Sequence, residues 1–321
     1  MEHMAVSSVA MARGSRNALR MRSRLTLVVG ALLAAAPARA AVLTRGPYLQ
    51  LLTTHSVTIV WNTDVAAACS LTIRPLGNVS TGIAGGTGPV CAIAVGGLTP
   101  GAQYAYVPNA NGIPLGPESI FRADDPTRPV ALVLIGDSGS AGPNQYALRE
   151  RLLASHVDAL LHTGDMVYLA GLPADFNPKF FTPYRDLIRT RMFWPILGNH
   201  DYKTASGQPW RDAFYTPANN PAGSENYYSF DVGAAHVAVI DSDENTRPGS
   251  AQYQFLDQDL GASQAPWKFV AFHHTIYSSG RHSSDTSRRW ASESPSMYRC
   301  VVWIDRWPAS NWTSRSEPPA L

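Results

Sequence analysis

Apolar and polar side chains alternate along short segments between residues 41 and 125, which is the period of strands with one buried face. Val57, Ile59 and Trp61, for example, alternate with Thr58 and Val60. Strands are predicted over 56–61, 70–74, 90–95, 103–108 and 119–122, with Gly and Pro turns between them. Because no helical period interrupts these segments, the sequence predicts a small all-β sandwich over residues 41–125.

The period changes at about residue 128, where short apolar runs begin to alternate with longer amphipathic segments. The apolar runs predict buried strands at 129–135, 159–162, 193–197 and 267–272. A helix is expected at 144–155, and Gly233 separates two segments, 227–232 and 236–240, that suit a hairpin in a second sheet. This pattern predicts an α/β (α+β) domain of two β-sheets flanked by helices over residues 126–285.

Polar residues follow four of these predicted strands, in the motifs Gly-Asp-Ser-Gly, Gly-Asp-Met-Val-Tyr, Gly-Asn-His-Asp and Phe-His. Ligand sites in open α/β sheets gather at the carboxyl ends of strands, so these motifs are expected to converge. Their side chains are of the types that a pair of closely spaced cations would take. The candidate metal ligands are Asp137, Asp165, Tyr168, Asn199 and His273.

Each candidate ligand has an ordinary structural interpretation when it is taken alone, as a turn residue, a helix cap or a packing aromatic. In combination, Asp165 suits a bridging carboxylate, with Asp137 and Tyr168 on one metal and Asn199 and His273 on the other. A phenolate ligand favours Fe(III) at the first position, which leaves Zn(II), Mn(II) or Fe(II) for the second. His274 is an alternative to His273 as the ligand from the last strand.

These motifs resemble those of the calcineurin-like metallophosphoesterases. Tyr168 and the leading β-sandwich, which is similar to a fibronectin type III domain, make the purple acid phosphatases the most similar subgroup. The segments 45–50 and 277–282 also look like members of that group. The resemblance implies a metallophosphoesterase sandwich that hydrolyses small phosphate monoesters with a hydroxide activated by two metal ions.

The resemblance also implies roles for two residues beside the metal pair. His200 would be the acid on the substrate side, and His282 would be a second contact to phosphate. Asp201, which follows His200, is expected to orient the imidazole. A phosphodiester or a nucleotide is an alternative substrate.

The Gly-His-x-His motif that supplies further metal ligands in this family does not follow, since the nine His residues end at His282. Weak metal binding is therefore expected, and a catalytically inactive, truncated remnant that only binds a partner is the alternative function. Residues 286–321 combine four Trp with Arg, Ser and Pro. This atypical tail is interpreted as a binding tail, a disordered end or the product of a frameshift.

The N-terminal segment is interpreted as a secretory signal peptide over residues 1–40. Five Arg residues between 13 and 24 precede an apolar run at 25–36, and Ala38-Arg39-Ala40 suits a cleavage site. A membrane anchor is the alternative, although the run is short against the ~20 residues of a spanning helix. The mature protein is therefore expected to be exported to the periplasm or the exterior, with no stable membrane span.

Charge and cysteine content narrow the choice of partners. Without residues 1–40, the 26 Lys and Arg fall to 20 and the 24 Asp and Glu to 23, which gives a net charge of −3. No basic patch interleaved with aromatic residues is left to indicate a nucleic-acid partner. In an oxidising compartment, Cys69 and Cys91 would pair if their strands were neighbours, and Cys300 would be the odd thiol.

Overall fold

The computed structural model describes residues 39–275. Most of the predicted signal peptide, His282, Cys300 and the atypical tail lie outside the described residues. In the described range, residues 39–125 form strands and no helix, and a mixed α/β arrangement follows. Both observations agree with the two predicted regions.

The β-rich region contains six strands that pair in antiparallel fashion. They are β1 (Leu43–Gln50), β2 (Ser56–Pro75), β3 (Thr81–Gly96), β4 (Gln103–Ala110), β5 (Ile113–Pro114) and β6 (Ser119–Arg122). The prediction of separate strands at 56–61 and 70–74 was wrong, because both belong to β2. Register shifts between residues 62 and 70 bend this strand without ending it, so its first half pairs with β1 and its second half with β4.

A disulfide joins Cys69 to Cys91, whose Cα atoms are 5.8 Å apart. Cys69 lies in the second half of β2, whereas Cys91 pairs with Trp61 in the first half. The disulfide therefore links the two halves of the bent β2–β3 ribbon across their buried side. The pairing that the sequence left open is thus present in the structure.

The α/β region contains two three-stranded sheets. The parallel first sheet consists of β7 (Leu132–Ile135), β8 (Ala159–His162) and β9 (Met192–Pro195). The second sheet consists of β10 (Tyr228–Val232), β11 (Ala235–Val239) and β12 (Trp267–Ala271), with β10 antiparallel and β12 parallel to β11. The predicted hairpin around Gly233 is therefore confirmed.

Five α-helices connect or flank these strands. They are α1 (Pro143–Ala154), α2 (Thr182–Ile188), α3 (Asn199–Tyr202), α4 (Gln208–Ala213) and α5 (Ala251–Ala262). Short 3₁₀ turns at Pro173–Asp175 and Ala205–Gly207 and a π turn at Asn177–Phe181 complete the region. The predicted helix at 144–155 corresponds to α1 with a shift of one residue.

Successive side chains of each strand point to opposite faces of its sheet, and this divides the core into layers. Trp194 of the first sheet stacks on Phe230 of the second, with ring centroids 4.1 Å apart, so the two sheets pack face to face. On the opposite face of the first sheet, Phe193 packs in the same cluster as Leu187 of α2. Leu256 of α5 covers the outer face of the second sheet. The result is the expected sandwich of two sheets flanked by helices.

Strand β1 attaches the β-rich region to the α/β region. The Tyr48 hydroxyl donates to the Ala213 carbonyl at 2.7 Å, and the Gln50 side chain accepts from the Tyr215 amide at 2.9 Å. The Arg45 guanidinium lies 4.2 Å from the centre of the Phe181 ring. The segment at 45–50 therefore has a structural role at this junction.

Within residues 39–275, no helix combines the length and the apolar character that crossing a bilayer requires.

A buried histidine fastens α5 to the second sheet. His236 is 8% exposed, and its two ring nitrogens lie 2.7 Å from Asp231 Oδ1 and Asp259 Oδ2. Burial acts to lower the pKa of His236, but hydrogen bonds to the two carboxylates outweigh burial and raise the pKa to about 9. The imidazole is therefore a cation between two anions at neutral pH.

We predict that this ion cluster makes stability depend on pH. The folded-state pKa lies above the ordinary value of 6.5, so the stabilisation is fully present below pH 6.5 and is lost as the pH rises through about 9. Because Asp231 is 73% exposed, we expect a loss of only about 1–2 kcal/mol. Urea unfolding between pH 6 and pH 10 measures this loss in the free energy of unfolding.

The matched variants are His236→Gln and His156→Gln, since the His156 side chain is 78% exposed. We expect His236→Gln to remove this part of the pH dependence and His156→Gln to preserve it. Parallel profiles for the wild type and His236→Gln would contradict the prediction.

Candidate metal centre

The predicted ligand residues follow the carboxyl ends of strands, at the same edge of the sandwich. Asp137 lies two residues beyond β7, Asp165 three residues beyond β8, and His273 two residues beyond β12. The Asp137 amide donates to the Gly164 carbonyl at 3.0 Å, which joins the first two loops. Parallel pairing of β7, β8 and β9 thus brings distant motifs to one place.

Two glycines permit the close approach of these loops. A Cβ atom on Gly198 would lie 2.1 Å from the Asp165 amide nitrogen and 2.4 Å from Asp165 Oδ1. A Cβ atom on Gly139 would lie 1.7 Å from the Met166 carbonyl oxygen. Any side chain at these positions would push apart the loops that carry the candidate ligands.

Asp201 is completely buried and binds three backbone amides. Its carboxylate accepts hydrogen bonds from the amides of Met166 at 3.2 Å, Val167 at 3.1 Å and Gly198 at 3.1 Å. Burial and the charge of Asp165 raise the pKa of Asp201 to about 7, against the effect of the three amides. These bonds tie the second loop to the start of α3.

The contacts of Asp201 correct the expectation that it orients His200. His200 Nδ1 instead lies 2.7 Å from the Leu169 carbonyl oxygen, and Asp201 is engaged with backbone amides. Since α3 begins at Asn199, the Asp201 carboxylate lies at its first turn and caps the Gly198 amide. Asp201 therefore positions the backbone of two loops.

Tyr168 lies beside both aspartates. Its hydroxyl donates to Asp137 Oδ1 at 2.6 Å. Burial, followed by the hydrogen bond and charge of Asp137 and the charge of Asp165, raises the pKa of Tyr168 above its ordinary value. Asp137 and Asp165 both adopt left-handed backbone conformations with φ of 54°, which is costly for residues other than glycine. The fold thus holds two anions and a phenol together under local strain.

His273 brings a third type of donor to this group. Its Nδ1 lies 2.9 Å from the Thr163 carbonyl oxygen, which only accepts, so Nδ1 carries the proton. The other ring nitrogen, Nε2, lies 3.0 Å from Asn199 Oδ1 and 3.4 Å from Asp165 Oδ1. These three side-chain atoms converge on one point, where a cation could take the place of a proton on Nε2.

The alternative ligand His274 points to other partners. Its Nδ1 lies 2.9 Å from Ser242 Oγ, and its Nε2 lies 3.9 Å from Asp243 Oδ1. These contacts favour His273 over His274 as the ligand from β12.

His200 lies at the edge of the group. Its amide donates to Asp165 Oδ1 at 2.8 Å, and its Nε2 lies 3.9 Å from Asp165 Oδ2. The ring centres of His200 and Tyr168 are 4.6 Å apart. His200 is therefore beside the candidate metal ligands, as expected.

Sequence reasoning missed Lys203, whose Nζ lies 2.8 Å from His200 Nδ1 and 3.3 Å from His200 Nε2. Residues three apart on a helix share a face, so the spacing of His200 and Lys203 was a usable signal.

Sequence reasoning also missed His162, which has no exposed surface and contacts Ser138 Oγ at 2.8 Å. Burial lowers the pKa of His162 to about 3, against the effect of the Asp137 charge, so this imidazole is neutral and supports the first loop. No sequence signal indicated this role, because a position in a short apolar run is expected to fill the core and not to support a loop.

Among residues 39–275, no group of three or more His, Cys, Asp or Glu side chains is arranged to hold a metal ion. The predicted ligand assignment stays a prediction, in which each metal would take two such residues together with Tyr168 or Asn199. The donor set fits two cations in its chemistry and has few ligands for each.

Residues 131–301, just over half of the chain, match the family model for calcineurin-like phosphoesterases. The chain belongs to this family. Its fold is similar to that of the purple acid phosphatase PPD1 from yellow lupin (Lupinus luteus), with a TM-score of 0.64 and 20% identity. That likeness covers 75% of this chain and 52% of the lupin chain.

Several plant proteins are similar in sequence. Probable purple acid phosphatase 20 of Arabidopsis thaliana is 24% identical over 257 residues, and the match covers 72% of this chain and 58% of that protein. A nucleotide pyrophosphatase/phosphodiesterase of Hordeum vulgare is 26% identical over 185 residues, and the match covers 48% of this chain and 50% of that protein. Probable inactive purple acid phosphatase 9 of A. thaliana is 26% identical over 161 residues, and the match covers 40% of this chain and 24% of that protein. The chain thus spans at most about three fifths of these relatives.

We predict that Gly198→Ala disrupts the centre. The added methyl group would overlap the backbone of Asp165, so we expect a loss of at least about 2 kcal/mol in stability and weaker metal binding. Gly96→Ala is the matched control, since no atom lies within 4 Å of its added Cβ. Urea unfolding and metal content measure both effects, and equal behaviour of the two variants would contradict the prediction.

Proposed function

We propose that this chain is an exported binuclear-metal phosphoesterase that hydrolyses phosphate monoesters, of the acid phosphatase type. The observation that carries the proposal is the convergence of side-chain atoms of His273, Asn199 and Asp165, next to the Tyr168–Asp137 pair. Membership of the calcineurin-like phosphoesterase family supports the class of reaction. The names of the plant acid phosphatases support the choice of ester.

The five candidate ligands would hold two cations. Asp165 would bridge them, Asp137 and Tyr168 would complete one position, and Asn199 and His273 the other. Bound there, the cations would supply Lewis acidity and lower the pKa of a coordinated water. The protein itself keeps Asp165 in place through the His200 amide and orients the His273 ring through Thr163, so that Nε2 faces the other candidate ligands.

His200 is proposed to act on the leaving group. Its Nε2 is on the Asp165 side of the ring, so it would donate a proton to the ester oxygen as the bond to phosphorus breaks. His282, which lies outside the described residues, is proposed as a second contact to phosphate.

Export is proposed from the arginines and the apolar run of residues 1–40. The Cys69–Cys91 disulfide is consistent with an oxidising compartment. A mature N-terminus at Ala41 is the measurable consequence.

We predict that Asp165→Asn abolishes both metal binding and turnover. An amide cannot bridge two cations as a carboxylate does, so we expect the metal content to fall and the hydrolysis of 4-nitrophenyl phosphate to decrease at least roughly 100-fold. Purified protein is assayed for metals and for activity at pH 5 and pH 7. Asp64→Asn, in the β-rich region, is the matched control.

Two bound metals with Asp165-dependent turnover are the expected result. A protein that binds no metal and hydrolyses no phosphate ester would overturn the proposal and support the inactive remnant. Activity that Asp165→Asn leaves intact would show that catalysis does not use this site.

We propose Fe(III) at the Tyr168 position, with Zn(II), Mn(II) or Fe(II) at the other, because phenolate is a strong donor to a trivalent ion. A visible phenolate-to-iron absorption band is expected, and Tyr168→Phe should remove it. Tyr146→Phe is the matched control on α1. An active, metal-loaded protein without this band would overturn the iron assignment while the phosphoesterase proposal stands.

A further inference from the structure

Lys203 places a cation beside the proposed proton donor. It directly follows α3 and is exposed, and its Nζ lies 2.8 Å from His200 Nδ1 and 3.3 Å from His200 Nε2. The Leu169 carbonyl oxygen lies 3.3 Å from the same Nζ. His200 as the proposed acid would carry protons on both ring nitrogens and would accept nothing from Nζ. Only the Leu169 carbonyl then takes one of the three ammonium donors, and two are left for a bound anion.

The other lysine near the centre, Lys179, already forms an ion pair. Lys179 Nζ forms an ion pair with Asp175 at 2.9 Å and also donates to the Tyr168 carbonyl oxygen. The side chains of Asp165 and Asp201 that lie nearby are almost completely buried, at 2% and 0% exposure. Lys203 therefore contributes a positive charge at the exposed side of His200.

The separation of the two donors limits the ligand. His200 Nε2 and Lys203 Nζ are only 3.3 Å apart, so they suit two acceptors on neighbouring atoms of one group. The bridging oxygen of a phosphoanhydride and a non-bridging oxygen on the leaving phosphorus are such a pair. The leaving oxygen of an aryl or alkyl ester carries no second anionic oxygen on the adjacent atom.

We propose that Lys203 is a specificity-determining residue that favours substrates whose leaving group is itself a phosphoryl group, as in inorganic pyrophosphate or the terminal phosphate of a nucleoside diphosphate. The inference rests on the proposed function, since it uses the same site. His200 would contact the bridging oxygen, and Lys203 would bind the non-bridging oxygens beside it. A charge-assisted hydrogen bond to phosphate would thus strengthen as charge develops on the leaving group.

The reaction balances as a hydrolysis. The oxygen of water forms a bond to the terminal phosphorus, and the bond from that phosphorus to the bridging oxygen breaks. The bridging oxygen leaves with its electron pair and takes a proton from His200. One proton from the attacking water is released to solvent, which later restores the proton on His200.

The test compares the ratio of kcat/KM for pyrophosphate to that for 4-nitrophenyl phosphate in the wild type and in Lys203→Met. We expect this ratio to fall roughly 10- to 100-fold, the effect of one charge-assisted hydrogen bond. Lys203→Arg should restore part of it. Lys268→Met is the control for loss of a charge elsewhere, because Lys268 lies in β12 and donates to the Leu260 carbonyl.

A second measurement does not depend on turnover. Methylenediphosphonate, which resists hydrolysis, and inorganic phosphate are titrated into metal-loaded protein and followed by calorimetry. The proposal expects Lys203→Met to weaken diphosphonate binding at least roughly 10-fold more than phosphate binding. This readout also separates a binding contact from a merely structural lysine, whose loss would affect both ligands alike.

The outcomes distinguish the two proposals. An unchanged substrate ratio in an active enzyme, or an equal loss for both ligands, overturns the role of Lys203 and leaves the phosphoesterase proposal standing. Inactivity towards both substrates overturns the proposed hydrolysis, and diphosphonate binding that depends on Lys203 would then support the contact alone.

Discussion

The hydrogen bonds of one buried carboxylate hold the candidate centre together. Asp201 accepts from Gly198 in the loop after β9 and from Met166 and Val167 in the loop after β8. Those two loops carry the candidate residues Asp165, Tyr168, Asn199 and His200, so the relative positions of these side chains depend on Asp201 together with the bond from the His200 amide to Asp165. An aspartate suits the position because two carboxylate oxygens can accept from three amides.

Asp201 works only because the loops lie close together, and the sequence provides for that at glycines. Gly198 lies so near Asp165 that no side chain is accommodated, and Gly139 is equally close to Met166. Both glycines were part of the motifs from which the site was predicted. Their fixed place in those motifs therefore reflects contact between backbones as much as chemistry at the neighbouring ligands.

Much of the fold could be predicted from the sequence because the recurrence of apolar and polar residues can be recognised within short segments. The strands at β6, β8 and β12 and the helix α1 follow from runs of apolar side chains, and the strand-end motifs predicted which side chains meet at the candidate centre. The continuity of β2 could not be predicted, since Asn62 to Ser70 look like a break in sequence and the bend depends on pairing with β3. The role of Asp201 depends on which loops meet, and a motif read along one strand does not contain that information.

The charges and hydrogen bonds of the candidate ligands all favour a bound cation. Asp137 and Asp165 are held beside Tyr168 in strained backbone conformations, and burial together with their charges raises the pKa of Tyr168. On the other side, the contact of Nδ1 with Thr163 orients the His273 ring, so that Nε2 faces Asn199 and Asp165. A cation would stabilise the phenolate, reduce the repulsion between the carboxylates and accept the lone pair of the imidazole. The fold has thus gathered these groups at one edge of the sandwich, where a cation pair would stabilise them, and this is the physical reason for interpreting these residues as a metal centre.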